Sequence, residues 1–444
     1  MMRYHARWVC PISSAPFSDG TVGVEHGRIA YVGPRSAAPH GGDETDLGDV
    51  ILMPGLVNAH CHLELTAMRG FLDGLAFREW IVRLTSARRA VLNADMLLDA
   101  ARLGIVEGLQ HGITTFADTG DSGSGFDAML EQRVRGICYR EVFGPDPLQC
   151  EDAIAALKDK VDAMQRRATS MVRVGVSPHA PYTVSDDLYR ATVALARARD
   201  LPLAVHIAES ALESELVEQG RGTFADGLRA RGIAVVPRAR SPIALMDALG
   251  VLGTRPLLIH CVRVDADDIA AIAGHDCAVA HCPASNAKFG HGIAPLASLL
   301  HANVRVGLGT DSVASNDRMD MLDESRLAAL FANTREERHD ALAAERALCL
   351  ATIGGAHALG MQGDIGTLEV GKAADIAAFR MPAFRAPVHD PVAALVFAIS
   401  GQRAHFVAAG GEVRVRDGQL VSSDAGLPGR VQECADLLQK WLVQ

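Results

Sequence analysis

Eight apolar runs follow one another through the middle of the chain, and each is followed by a stretch of helical character rich in Ala, Leu and Arg. The runs end near His60, Asp118, Gly144, His179, His206, His260, His281 and Asp311. Eight strands that alternate with helices pair in parallel, and this order is typical of a (β/α)₈ barrel. We therefore predict an α/β fold with such a barrel over residues 55–362.

Both ends of the chain differ from this middle part, because their apolar stretches are short, Val-rich and interrupted by Gly. The first end contains RWVCPI and GTVGVEHGRIAYVG, and the last contains GTLEVGKAADIAAF and HFVAAGGEVRVRDGQLV. Such stretches indicate short strands joined by turns. We expect residues 1–54 and 363–444 to form one small composite β-sandwich domain, with a helix at the C-terminal end.

The charge and the cysteines exclude several classes of partner. The net charge is −10 and no cluster of Lys and Arg forms a basic face, so we expect neither a nucleic-acid nor a membrane partner. No apolar run reaches the roughly 18 residues that span a bilayer. The nine cysteines are scattered and lack a CxxC pair, which favours free thiols and a cytoplasmic protein.

Histidines and a carboxylate stand where several of the apolar runs stop. His60 and His62 lie two residues apart at the end of a strand, so both imidazoles point the same way. His206, His260 and Asp311 end later runs, and the carboxyl ends of barrel strands share one rim. Each residue alone would more often be an ordinary strand-end residue, but together they predict a metal site.

Longer segments around these residues carry a family resemblance. They read PGLVNAHCH, VSPHAPYTVS, VHIAES, IHCVRV, HCPASNAKFGHGIAPL, GLGTDSVASND and GTLEVGKAADIAAF. In these segments the chain resembles the amidohydrolase superfamily, in its branch of nucleoside and base deaminases and triazine chlorohydrolases. The resemblance implies a metal-dependent hydrolase with the ligands His60, His62, His206 and Asp311.

The number of ions follows from the fourth barrel strand. Binuclear members of the superfamily bridge two ions with a carbamylated Lys at the end of that strand. Here the strand reads MVRVGVSPHAPY and contains no Lys, so we expect one divalent ion. Three imidazoles and a carboxylate suit Zn²⁺, and Fe²⁺ is the alternative.

The remaining rim residues receive catalytic roles as a hypothesis. Asp311 would act as a base toward a metal-bound water, and His260 would hold and polarise that water. Glu209 follows a ligand by three residues and would donate a proton to the ring nitrogen, then help the amine to leave. Two alternatives stay open, since Glu209 could cap the next helix and His260 could be a fifth ligand.

Substrate contacts are expected from four places on the rim. By resemblance His179 contacts the substrate, and Ser285 and Asn286 follow the seventh strand at the same rim. Glu64 in the HLEL segment and Trp80 in the FREW segment are also expected to contact the substrate. Together these two segments are most similar to the aminodeoxyfutalosine deaminases, whose substrate is an adenine nucleoside with a benzoate-bearing arm.

An arginine distinguishes this chain from deaminases of the homocysteine–adenosine type. Those relatives carry a ribose-binding Glu nine positions after the Trp, and here that position is Arg89. A guanidinium pairs bidentately with a carboxylate, so Arg89 would bind the benzoate, with Arg88 and Arg69 as rivals. An Arg pair on a helix is otherwise usually a solvated surface feature.

Several other functions remain open at this point. A deaminase of adenosine, S-adenosylhomocysteine, guanine or cytosine would use the same ligands, and so would a triazine-type chlorohydrolase. A barrel without activity is disfavoured because every ligand is present. In each enzymatic case the partner is a small heterocyclic molecule, and a homodimer is compatible with the sequence.

Overall fold

The computed structural model describes residues 1–443, in which strands and helices alternate as the sequence predicts. The strands are β1 (Met2–Val9), β2 (Phe17–Glu25), β3 (Arg28–Pro34), β4 (Glu44–Asp46), β5 (Val50–Pro54), β6 (Leu56–Cys61), β7 (Ile113–Gly120), β8 (Arg135–Val142), β9 (Val172–Pro178), β10 (Ala204–Ile207), β11 (Leu257–His260), β12 (Ala278–His281), β13 (Arg305–Leu308), β14 (Ile376–Arg380), β15 (Phe406–Ala409), β16 (Glu412–Arg416) and β17 (Gln419–Leu420). The helices are α1 (Phe77–Val91), α2 (Ala94–Gln110), α3 (Ser124–Glu131), α4 (Cys150–Gln165), α5 (Asp186–Arg199), α6 (Ala211–Gln219), α7 (Thr223–Arg229), α8 (Pro242–Ala248), α9 (Ala266–Gly274), α10 (Pro283–Lys288), α11 (Leu296–His301), α12 (Val313–Asn316), α13 (Met321–Glu336), α14 (Ala344–Cys349), α15 (Gly355–Ala358), α16 (Pro391–Ala393) and α17 (Leu427–Leu442).

The eight strands β6 to β13 form the barrel. Strands β6 to β9 pair in parallel, and so do strands β10 to β13. Two further parallel bridges, Val176 with Leu203 and Cys61 with Asp311, join the two groups into a closed ring. The predicted (β/α)₈ barrel is therefore confirmed.

The barrel strands are mostly apolar because both of their faces are buried. Alternate residues such as Val57 and Ala59, or Ile137 and Tyr139, form one cluster inside the barrel. Residues of the other parity, such as Phe116, pack outward against the helices in the main core. In barrels of this kind functional sites lie at the carboxyl ends of the strands.

Strands from both chain ends form one mixed sheet, which confirms the composite end domain. Its order is β17-β16-β15-β14-β5-β1-β2-β3, and β4 pairs with β1. The two chain ends meet where β5 pairs antiparallel with β14, with Leu52 opposite Ala378. Tyr4 and Phe406, which come from opposite ends of the chain, pack with ring centroids 4.7 Å apart.

The last helix leaves this sheet and packs on the barrel. Leu427, Val431 and Leu438 of α17 share a core cluster with Leu84 of α1 and Leu97 of α2. The helix is therefore separate from the strands that precede it in sequence. Residue 444, the end of the predicted domain, lies outside the described residues.

Two expectations about cysteines and membranes can be compared with the structure. All nine cysteines are free thiols, as expected from their scattered positions. Seven of them are buried. Within residues 1–443, none of the helices combines the length and the apolar character that crossing a membrane requires.

A buried ion pair connects the end sheet to the barrel. Arg135 on β8 donates from Nε to Asp375 Oδ2 at 2.9 Å, and both side chains are more than nine-tenths buried. Asp375 also accepts a hydrogen bond of 2.7 Å from the backbone N–H of Gly410. A second pair between these regions, Arg133 with Glu412, is exposed.

We expect Arg135→Ala to lower the free energy of unfolding by about 3 kcal/mol, because it leaves the Asp375 carboxylate buried without its cation. The matched control Arg133→Ala removes an exposed pair and should change it by less than about 0.5 kcal/mol. Urea unfolding of the three proteins measures both values. Equal effects of the two substitutions would contradict the role of the buried pair.

Candidate active site

Four predicted metal ligands converge at the carboxyl end of the barrel. The ligand atoms of His60, His62 and His206 lie within 4.8 Å of one another. Asp311 Oδ1 is 3.5 Å from Nε2 of both His60 and His62. The predicted ligands thus come from the ends of the first, fifth and eighth barrel strands. The two that are farthest apart in sequence, His60 and Asp311, are separated by 251 positions.

Direct contact between the first and last barrel strands sets this geometry. A Cβ on Gly309 would lie 2.8 Å from the backbone oxygen and from the Cβ of His60, so only Gly allows the approach. Asn58 donates to Thr310 Oγ1 at 2.8 Å and accepts from the Thr310 N–H at 3.1 Å. Asp311 itself has a φ of 57°, a conformation that is uncommon for a residue with a side chain and is found at functional sites.

The protonation of the histidines fits a metal ion. Burial lowers the pKa of His60 to about 4 and that of His206 well below its usual value, so both imidazoles are neutral. His62 Nδ1 lies 2.8 Å from the Thr119 carbonyl oxygen, so it can donate there and leave Nε2 for an ion. Neither ring nitrogen of His60 has a hydrogen-bond partner among residues 1–443.

The carboxylate of Asp311 completes this donor set. Burial by itself would raise the pKa of Asp311, but the neighbouring His60 and His260 lower it further than burial raises it. Ser285 Oγ donates to Asp311 Oδ2 at 2.6 Å, and the Ser312 N–H donates to Oδ1 at 2.7 Å. Three neutral imidazoles and one held carboxylate suit a divalent ion of the zinc type.

Glu209 and His260 lie beside the metal ligands. Glu209 Oε1 is 3.6 Å from His260 Nε2 and 3.3 Å from His291 Nε2. Burial raises the pKa of Glu209, and the two histidines outweigh this effect and lower it overall. The N-cap of the next helix is Ser210, so Glu209 is not needed as a cap and its side chain lines the cavity.

Ser285 and Asn286 stand behind the catalytic residues and not on the cavity wall. Both are almost fully buried, and neither lines the cavity. Ser285 bonds to Asp311, and Asn286 Oδ1 lies 3.0 Å from His260 Nδ1. The structure thus places Ser285 beside the predicted ligand Asp311 and Asn286 beside His260, and their contact with substrate stays a prediction.

Two residues at this site were missed from the sequence. The Glu213 carboxylate accepts from the backbone N–H groups of Ala208 and Glu209 at 2.8 and 2.9 Å and so fixes the loop that carries Glu209. Glu213 follows Glu209 by four residues in the sequence, and this spacing could have indicated a contact between them. The second is His291 in the GHGIAPL segment, whose Nε2 lies 3.3 Å from Glu209 Oε1.

A cavity of about 550 Å³ opens above these residues. One wall is aromatic: Tyr182 stacks on Phe224 at 4.1 Å between ring centroids, and predicted Trp80 packs against Phe289 at 4.7 Å. His179 also lines the cavity, and its Nδ1 is paired with Thr183 Oγ1 at 2.8 Å, so that Nε2 is available. The volume is in the range of small-molecule sites.

The opposite wall is polar and comes from the ends of the first three barrel strands and from α1. Glu64 is buried and bonds to Arg88 and Ser122, and Arg88 also pairs with Asp121. Burial raises the pKa of Glu64 in spite of the neighbouring guanidinium. Burial likewise raises the pKa of Glu141, on the same wall, well above its usual value.

The three candidate arginines have different surroundings. Arg88 forms ion pairs with Glu64 and Asp121 of the polar wall. Arg69 pairs with Glu107 and does not line the cavity. Arg89 is exposed at the cavity mouth, and it forms no ion pair within residues 1–443.

Comparisons with known proteins agree on one family. Residues 51–414 match the model described as "Amidohydrolase family". A 5-methylthioadenosine/S-adenosylhomocysteine deaminase of Moorella thermoacetica is 32% identical over 428 residues, which cover 94% of each chain.

Solved structures extend the comparison. An adenosine deaminase from Xanthomonas campestris with bound zinc has a TM-score of 0.88 at 28% identity, covering 99% of this chain and 98% of that one. The zinc complex of atrazine chlorohydrolase from Arthrobacter aurescens TC1 has a TM-score of 0.83 at 26% identity, covering 99% and 100%. An aminofutalosine deaminase from Helicobacter pylori has a TM-score of 0.81 at 20% identity, covering 93% and 100%, and shares the fold.

We expect the purified protein to hold one divalent ion per chain, and His206→Ala to lose it, because this substitution removes one of four ligands. The control His275→Ala changes a half-exposed histidine that pairs with Asp247 on the surface, and it should keep the ion. Elemental analysis of the three dialysed proteins gives the metal content. Two tightly bound ions per chain, or full retention by His206→Ala, would contradict the assignment.

Proposed function

The chain belongs to the amidohydrolase family, and we propose from this membership that it removes the amino group of an adenine nucleoside by hydrolysis. The family makes it a metal-dependent hydrolase that acts on carbon–nitrogen bonds other than peptide bonds. The finer proposal for the substrate is aminodeoxyfutalosine, in which a benzoate-bearing arm is attached to the ribose. The observation that carries the finer proposal is the unpaired Arg89 at the mouth of a cavity with an aromatic wall.

The relatives support the adenine nucleoside as the substrate class. The Moorella relative is named for 5-methylthioadenosine and S-adenosylhomocysteine, and the Xanthomonas structure for adenosine. Adenosine and S-adenosylhomocysteine are therefore the main alternatives, and the latter also carries a carboxylate. The donor set and the zinc in these neighbours favour Zn²⁺ as the ion. Nine free thiols favour the cytoplasm as the compartment.

The proposed mechanism assigns one task to each residue beside the ion. When bound, a divalent ion lowers the pKa of a coordinated water toward neutrality. Asp311, held by Ser285, accepts the proton of the attacking water. His260, held by Asn286, orients that water. Glu209, whose lowered pKa leaves it ionised in the free site, first takes up a proton from water, then donates it to the ring nitrogen next to the attacked carbon and assists departure of ammonia.

The substrate arm has a defined place in this proposal. A benzoate ring is apolar on its faces and would stack on the wall that contains Trp80 and Phe289. Its carboxylate needs a cation, since an unpaired carboxylate is costly to remove from water. Arg88 is already neutralised by Glu64 and Asp121, whereas Arg89 and Arg78 of the same helix line the cavity without an ion pair among residues 1–443, and Arg89 is the one that we assign to the carboxylate.

Glu209→Gln should keep the ion and substrate binding while it lowers kcat by about 10²–10⁴-fold, because a Gln side chain cannot donate the catalytic proton. The control Glu218→Gln changes an exposed carboxylate on the same helix, α6, and should leave kcat unchanged. Ammonia release and elemental analysis provide the two readouts. Near-normal turnover by Glu209→Gln would remove this residue from the mechanism.

A screen of ammonia release identifies the substrate among aminodeoxyfutalosine, S-adenosylhomocysteine, adenosine, guanine and cytosine. We expect aminodeoxyfutalosine to have the highest kcat/KM. If none of the three adenine nucleosides released ammonia, the proposed function would be refuted. Ammonia release from guanine or cytosine alone would indicate that the protein is a base deaminase instead.

Arg89→Ala should lower kcat/KM for aminodeoxyfutalosine by about tenfold, since one hydrogen-bonded charge pair at the rim is lost. It should leave the value for adenosine, which has no carboxylate, within about twofold of the wild type. The control Arg83→Ala lies on the same helix and pairs with Glu79 outside the cavity, so it should affect neither substrate. Equal losses on both substrates would show that Arg89 does not bind the carboxylate.

A further inference from the structure

Glu141 contributes a buried carboxyl oxygen to the cavity region. It lies on β8, the third barrel strand, is 8% exposed and lines the cavity. Its Oε1 is buried, and no donor within residues 1–443 bonds to it. A buried acceptor without a partner is rare and points to a donor that a ligand supplies.

Three neighbouring carboxylates are bonded by the protein itself. Their partners are Arg88 and Ser122 for Glu64, Arg88 for Asp121, and Ser285 and the Ser312 N–H for Asp311. Arg88 bonds to Glu64 and Asp121 through one terminal nitrogen and forms no hydrogen bond with Glu141 among residues 1–443. His179 Nδ1 is paired with Thr183, and its Nε2 is directed to the cavity region.

The chemistry of an adenine nucleoside limits what that donor can be. The ring nitrogens N1, N3 and N7 are acceptors, so the only donors are the exocyclic amino group and the sugar hydroxyls. The amino group is attached to the reacting carbon and must lie beside Asp311 and Glu209, which follow the eighth and fifth strands. Glu141 lies near the end of the third strand, and we therefore assign it to the sugar hydroxyls, with contact to the amino group as the alternative that the experiment below distinguishes.

We propose that Glu141 binds a ribose hydroxyl of the substrate and so makes the site specific for ribonucleosides, an assignment that rests on the proposed nucleoside deaminase function. The unpartnered carboxyl oxygen of Glu141 can accept a hydrogen bond from such a hydroxyl, and a hydrogen bond is electrostatically stronger in a water-poor cavity than in water. The contact holds the nucleoside between the polar wall and the aromatic wall. It involves no bond making or breaking.

Two other roles for Glu141 are outcomes of the same test. Its Oε1 is 3.9 Å from His206 Nδ1, so it could instead orient this metal ligand. Ligand atoms of Glu141, His179 and His206 also lie within 4.8 Å of one another, which is close enough for a second cation. Both roles predict a change in metal content when Glu141 is replaced, whereas hydroxyl binding predicts none.

The experiment compares the best adenine nucleoside of the ammonia screen with its 2′-deoxy and 3′-deoxy forms. Wild type, Glu141→Gln, Glu141→Ala and the control Glu151→Gln, an exposed carboxylate on α4, are assayed on all three, and their metal content and melting temperature are measured. We expect Glu141→Ala to lower kcat/KM for the ribonucleoside about 10- to 100-fold, mainly through KM, with a smaller loss for Glu141→Gln. One deoxy form should show the same kcat/KM in wild type and both variants.

Each other result overturns the assignment. Equal losses on all three nucleosides would exclude a hydroxyl contact. A loss of the single ion would make Glu141 a positioning residue for His206, and a fall from two ions to one would make it a ligand. No ammonia from any nucleoside with the wild type would refute the proposed function itself, whereas normal wild-type turnover with unaffected Glu141 variants would refute this inference alone.

Discussion

The contact between the first and the last barrel strands is the constraint on which the site depends. The missing side chain at Gly309 lets the two segments touch, and the paired hydrogen bonds of Asn58 with Thr310 fix their register. This contact closes the ring and, in the same step, sets Asp311 beside His60 and His62. Barrel closure and assembly of the metal ligands are therefore one event, because neither is possible without the other.

A second layer of side chains holds the reactive groups in place. Ser285 fixes Asp311, Asn286 contacts His260, and Glu213 fixes the loop of Glu209 through two backbone N–H groups. All of these contacts are buried, where unpaired polar groups are costly and paired ones are strong. These contacts orient the donor atoms toward the ion site.

The barrel and its ligand positions could be predicted from sequence because a strand buried on both faces is a continuous apolar run, and the run stops where the chain meets the cavity. His206 and Asp311 lie at the ends of such runs, and it was their combination with the other strand-end residues and the family resemblance that made them predicted ligands. The direction of the side chains on the helices that follow the strands could not be predicted from the sequence, since it depends on which neighbouring residues pack against those helices. Ser285 therefore turned out to face Asp311, and Arg88 proved to be neutralised while Arg89 is free.

The composite end sheet has a consequence for how the chain is made. Strand β5 is translated early, but its antiparallel partner β14 follows only after the whole barrel. Until that partner emerges from the ribosome, β5 presents an unpaired apolar edge of the kind that promotes aggregation. Biosynthesis of this protein thus includes a period in which this edge of β5 is made but its partner strand is not.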